Sequence, residues 1–173
     1  MNSIPGQDLA PDFNDPLGLL LACHQRMLGF CELLQKVKQH LHLQGLDNEA
    51  QQSIRKIHHY FSTAARFHHD DEEQDLFPLL VSQSLKIATI VHELKQDHIN
   101  INQAWDRLGP VLEKPAAIEE TPEFDQWVDE FCNAYQQHIS KEEQNFFPIA
   151  GHLLSTEQLK LLATKMKKRR GLA

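Results

Sequence analysis

One pattern occurs twice in this chain and restricts its fold more than any other feature. Residues 68–78 read HHDDEEQDLFP and residues 138–148 read HISKEEQNFFP. At this offset His68 matches His138, Glu72 matches Glu142, Glu73 matches Glu143, and Phe77-Pro78 matches Phe147-Pro148. The apolar register upstream agrees, with Ile54 over Phe124, Phe61 over Phe131 and Ala64 over Ala134. Such a repeat predicts two related structural units rather than one irregular domain. A weaker echo, Leu20-x-x-x-His24 against Leu94-x-x-x-His98, extends the relation to the preceding segments.

The punctuation around these segments is helical. Asp15-Pro16 and Thr121-Pro122 each offer an N-cap followed by proline in the first turn, where its missing N–H costs little. Helices are expected over about 16–43, 47–82, 85–108 and 122–150. Gly45 would end the first and Gly109-Pro110 the third, with residues 109–121 as the one long loop. Ser155-Thr-Glu-Gln158 has capping-box form and opens a short fifth helix over about 155–170. Residues 1–14, with Pro5, Gly6 and Pro11, read as an irregular lead-in. No segment alternates apolar and polar residues as a strand would. The fold expected is all-α: an antiparallel up-down four-helix bundle with a short C-terminal fifth helix, in a single domain.

Residues four apart on a helix lie about 40° apart around its axis and roughly 6 Å apart along it. His68 therefore shares a face with Glu72, and His138 with Glu142. Residues seven away nearly eclipse each histidine. Those rows are Ile54–Phe61–His68, Phe124–Phe131–His138, Val91–His98–Trp105 and Leu17–His24–Cys31. One histidine thus interrupts a mostly apolar seam on each long helix. Four imidazoles and two carboxylates would meet inside the molecule. An uncompensated buried carboxylate costs several kcal/mol against a total stability of about 5–15 kcal/mol. A metal would neutralise the cluster, and this nitrogen and oxygen donor set suits iron, zinc or manganese. His24, His68, Glu72, His98, His138 and Glu142 are the candidate ligands. His69 and Glu73 form a rival register of the same spacing, but position 139 is isoleucine and the pair leaves the Phe61 seam, so both are expected as flanking or surface residues. His40, His42, His58, His59, His92 and His152 are expected to be ordinary surface or packing histidines.

The repeated H-x-x-x-E with Phe-Pro, and the lone histidines on the alternate helices, resemble the hemerythrin-like family of HHE cation-binding domains over about residues 15–150. The resemblance implies two Fe ions in an oxo- or hydroxo-bridged centre, with Glu72 and Glu142 bridging. It implies binding of O2, NO or a related small oxidant for sensing, scavenging or iron handling. A di-iron enzyme or an iron–sulfur repair factor is an alternative, with Tyr135 as the nearby proton donor. Two departures from the oxygen-carrying members stand out. The positions four away from His98 are Leu94 and Asn102, where those members carry a second histidine. Those members also use H-x4-D on the fourth helix, where this chain has His138-x-x-x-Glu142.

Composition narrows the surroundings. Three cysteines without a C-x-x-C fit a reducing compartment, and the cytoplasm is the expected location. A net charge of −7 disfavours nucleic acid as a partner. No run of about 18 apolar residues is present, so no membrane span is expected. Partners expected are therefore a small diatomic or peroxide ligand, with a homodimer left open. Residues 160–170 hold six of the seventeen basic side chains. A C-terminal complement to the helix dipole is the plain reading of that tail. A non-redox scaffold docking an acidic partner through the tail is the remaining alternative.

Overall fold

In a computed structural model of the chain, residues 12–172 are described, and among them every regular element is helical. Most of the irregular lead-in lies outside the described residues. Helix α1 (Pro16–Gln44) starts where the Asp15 carboxylate accepts from the Gly18 N–H, and it ends at Gly45, whose φ of 76° places it in the left-handed region. Next come α2 (Asn48–Ser62), α3 (Ala64–Asp71), a π turn (Glu72–Leu76) and α4 (Phe77–Leu80). Helix α5 (Leu85–Leu112) is followed by α6 (Pro122–Lys141), a second π turn (Glu142–Phe146), α7 (Phe147–Leu153) and α8 (Thr156–Arg169). Side-chain caps from Asp47, Ser84, Thr121 and Ser155 start the helices that follow them. Helix α1 packs on α2 and α6, while α5 packs on α6 and α2, so the long segments form a closed ring of neighbours.

Three sequence expectations change. The second segment is not one helix over 47–82, because it breaks at Thr63, whose hydroxyl donates to the His59 carbonyl at 2.6 Å and competes with the backbone. The third helix passes through Gly109-Pro110 to Leu112. Gly109 serves close approach rather than termination: a Cβ there would lie 2.9 Å from the Trp105 indole. Pro110 forfeits a bond only to the exposed Asp106, where water can replace it. The fourth helix, expected over 122–150, is likewise interrupted, by the π turn over Glu142–Phe146. In each repeat the phenylalanine N–H bonds a carbonyl five residues back, Phe77 to Glu72 and Phe147 to Glu142. The proline then falls in the first turn of a new α segment, where no N–H is needed.

Two apolar clusters make up the core. One gathers Met27, Leu34, Ile54, Phe61, Ile101, Phe131 and their neighbours. The other gathers Leu20, Leu76, Phe77, Leu94, Phe146 and Met166. Three of the candidate histidines fall between them in the chain: His24 follows Leu20 and precedes Met27, His68 follows Ala65 and precedes Leu76, and His98 follows Leu94 and precedes Ile101. Part of α1 has a mean hydropathy of 1.3, apolar and long enough to cross a membrane by composition alone. Its Leu20, Met27, Leu34 and Val37 are nonetheless fully buried against other helices, as in a core helix.

Candidate metal centre

All six candidate residues converge. His24, His68, Glu72, His98, His138 and Glu142 are each at most 1% exposed. The spacing that placed them is kept because α3 and α6 remain α-helical up to each glutamate, and the π turn begins only there.

Each carboxylate lies between two imidazoles from different helices. Glu72 Oε1 is 3.0 Å from His68 Nε2, and its Oε2 is 3.3 Å from His98 Nε2. Glu142 Oε2 is 3.0 Å from His24 Nε2 and 3.3 Å from His138 Nε2. The His98 and His138 Nε2 atoms face each other at 3.1 Å. The donors thus fall into two overlapping sets, His24–His68–Glu72–Glu142 and Glu72–His98–His138–Glu142, which share the carboxylates.

Many of these polar atoms are close without being aligned for hydrogen bonding. His24 Nε2, both ring nitrogens of His68, and both oxygens of Glu72 and of Glu142 are buried with no hydrogen-bond partner. Such groups cost about 1–3 kcal/mol each, and more when charged. A cluster of this kind needs an explanation, and a bound cation is one. The donors fit that group: imidazole nitrogens and carboxylate oxygens in two shared sets match iron, manganese or zinc.

The field inside the cluster follows from its composition. Burial opposes charge on His98, yet the adjacent Glu72 and Glu73 carboxylates outweigh that and lift it to about 9. His68 is also raised, burial being overcome by the Glu72 carboxylate. Burial would raise Glu72, but His68 and His98 hold it well below the usual carboxylate range. Burial pushes the Tyr135 phenol well above its ordinary value, so it stays protonated.

A second layer orients the first. His24 Nδ1 is 3.1 Å from Glu143 Oε1, and His98 Nδ1 is 2.6 Å from Glu73 Oε1. Each repeat therefore supplies a glutamate that grips the lone histidine of the helix beside it. Such bonds fix the ring and its tautomer. Glu73 thus has a positioning task beyond that of a flanking residue. The identity of Glu73 and Glu143 in the repeat was the signal for this pair.

His69 departs from its sequence expectation as well. Its ring is not a surface feature but stacks on His98 at 4.1 Å between centroids, and it lies 5.7 Å from both Tyr135 and His138. Its Nε2 is buried without a hydrogen-bond partner. Other histidines do behave as ordinary packing groups: His40 bonds Asp47 at 2.9 Å, and His42 bonds Glu120 and Asp125. Three of the six basic side chains of the tail are engaged in ion pairs within the chain. Arg169 pairs with Asp71 and Asp75, Arg170 with Asp71 at 2.7 Å, and Lys165 with Asp75 at 3.0 Å.

Helical throughout its described residues, with a buried cluster of paired imidazoles around two shared carboxylates, the chain has the features of a helical cation-binding protein. The sequence profile of the Hemerythrin HHE cation binding domain matches residues 15–150, and the chain is a member of that family. It is also 31% identical over 158 residues to a Haemophilus influenzae protein named only "Uncharacterized protein", covering 91% of each chain.

Proposed function

We propose that this protein holds a pair of iron ions and binds dioxygen, nitric oxide or peroxide for sensing, scavenging or iron handling. The observation that carries the reading is the position of Glu72 and Glu142, each within reach of one histidine from each donor set. In this reading His24 and His68 would hold one ion and His98 and His138 the other, with Glu72 and Glu142 available to both. The ring of helix contacts is read as an antiparallel four-helix bundle forming one domain, with α8 laid against α1 and α3. When bound, an iron pair would supply electrons or an open coordination position to a small oxidant.

The remaining work falls to the chain. Glu143 and Glu73 hold the His24 and His98 rings in a fixed tautomer through their Nδ1 atoms. Phe147 lies 5.5 Å from His24 and Phe77 lies 6.0 Å from His98, walling the cluster on the α4 and α7 side against water. Exclusion of water strengthens every electrostatic contact inside. The reducing cytoplasm is the setting proposed, on three cysteines without a C-x-x-C.

Elemental mass spectrometry on protein purified without oxygen from iron-replete cells tests this directly. About two irons per chain are expected, with the iron spectrum changing on exposure to oxygen, nitric oxide or peroxide. Zinc alone, or no metal after reconstitution, would refute it.

A further inference from the structure

The two donor sets are equal in the six residues read from the sequence, with two imidazoles each. The structure makes them unequal. One side chain from α3 intrudes on the second set and has no counterpart in the first, because residue 139 is isoleucine. His69, His98 and His138 each bring a ring nitrogen into one group within 4.8 Å. No fourth helix position is needed for this: His69 is adjacent in sequence to His68, and the helix turns it about 100° toward α5.

We propose that His69 is a fifth histidine ligand, which binds the metal held by His98 and His138. Three observations carry it. The His69 ring lies against the His98 ring at 4.1 Å and faces His138 edge-on at 5.7 Å, so only a short rotation separates its nitrogen from theirs. Its Nε2 is buried and bonded to nothing, a cost that native structures seldom leave standing. Its neighbours do not explain that orphan: Glu73 bonds His98, and Tyr135 meets His69 through its ring.

The proposal rests on the paired-metal reading and adds to it. With His69 included, the His98 position has five protein donors: three imidazoles and two carboxylates. The His24 position keeps four, so a small exogenous ligand finds more room there. His69 also lines a cavity of about 300 Å³, together with Tyr135, Glu73 and Trp105. A ligated His69 would hold its ring between that cavity and the metal, closing the route on this side.

Three substitutions separate ligation from packing. His69→Phe keeps a flat ring for stacking but removes the donor, His69→Glu restores a donor without the ring, and His69→Ala removes both. Each metal-free variant would be titrated with cobalt(II), following visible absorption and bound metal per chain, after circular dichroism and melting establish that it is folded. Wild-type protein is expected to take about two equivalents. The phenylalanine and alanine variants should weaken the second equivalent by more than the roughly 10–100-fold typical of a lost outer hydrogen bond, leaving the first unchanged. The glutamate variant should recover most of that loss. Retention of both equivalents by the folded phenylalanine variant would overturn the proposal, as would failure of glutamate to restore binding. Absence of any metal from the wild type would instead defeat the paired-metal reading itself.

Discussion

The two halves of the molecule share most of their inner groups and few of their outer ones. Residues 68–78 and 138–148 present the same inner groups, a histidine and a glutamate facing the cluster and a second glutamate gripping a neighbour's histidine. Their outer faces diverge. Asp71 and Asp75 of the first half anchor Lys165 and Arg169 of α8 and Arg170 at its C-cap. The aligned positions in the second half are Lys141 and Asn145, and Lys141 turns to Asp97 of α5 instead. The histidine, the shared glutamate and the gripping glutamate recur at the centre, with His69 against Ile139 as the exception, while each copy has its own supports. Asp71 is fully buried, so the first half depends on a distant helix in a way the second does not.

The largest effects should be the same in both halves. Glu72→Ala and Glu142→Ala each remove a shared carboxylate, and metal per chain should fall below one ion in either variant. A loss confined to one half would break the equivalence of the copies, and elemental analysis of the purified variants decides it. The outer supports should behave unequally. Replacing Arg169 and Arg170 together by alanine strands the buried Asp71 carboxylate and should cost about 3 kcal/mol in urea unfolding of the metal-free protein. Lys141→Ala, between partly exposed groups, should cost less than about 1 kcal/mol in the same measurement.

Finer contrasts follow from the second layer and the caps. Glu73→Ala and Glu143→Ala should each weaken metal binding by about 10–100-fold in a competition titration with a chelator. The Glu73 contact is the shorter, at 2.6 Å against 3.1 Å, so its loss should lie toward the larger end. Smallest of all, Thr121→Ala removes the cap that accepts from the Phe124 N–H and should lower stability by about 1 kcal/mol without changing metal content.

The inner groups were legible in the sequence because a helical period and a repeat at fixed offset over-determine them. His68 and Glu72 are local to one helix, and the offset copy at His138 and Glu142 removes the ambiguity of a single motif. The lone histidines His24 and His98 became legible through the apolar seams around them. What stayed hidden depends on neighbouring helices. Spacing says which residues share a face, but not that Glu73 reaches His98 on α5 or that His69 lies against the same ring. The Arg169–Asp71 pair joins residues 98 positions apart, beyond any periodic signal. The π turns were hidden for a different reason. Their one trace is a proline six residues after each glutamate, which reads equally well as a helix stop.

The placement of the histidine layer between two apolar clusters bears on how the chain opens. Cooperative unfolding relies on apolar contacts running unbroken through the interior, and a charged stratum interrupts them. Without metal, the end built from α4, α7 and α8 should exchange its amide hydrogens as one block, separately from the end built on Phe61 and Phe131. A cation in the middle would fasten the two blocks together, so occupancy would be written into the amide exchange pattern of residues that never touch it.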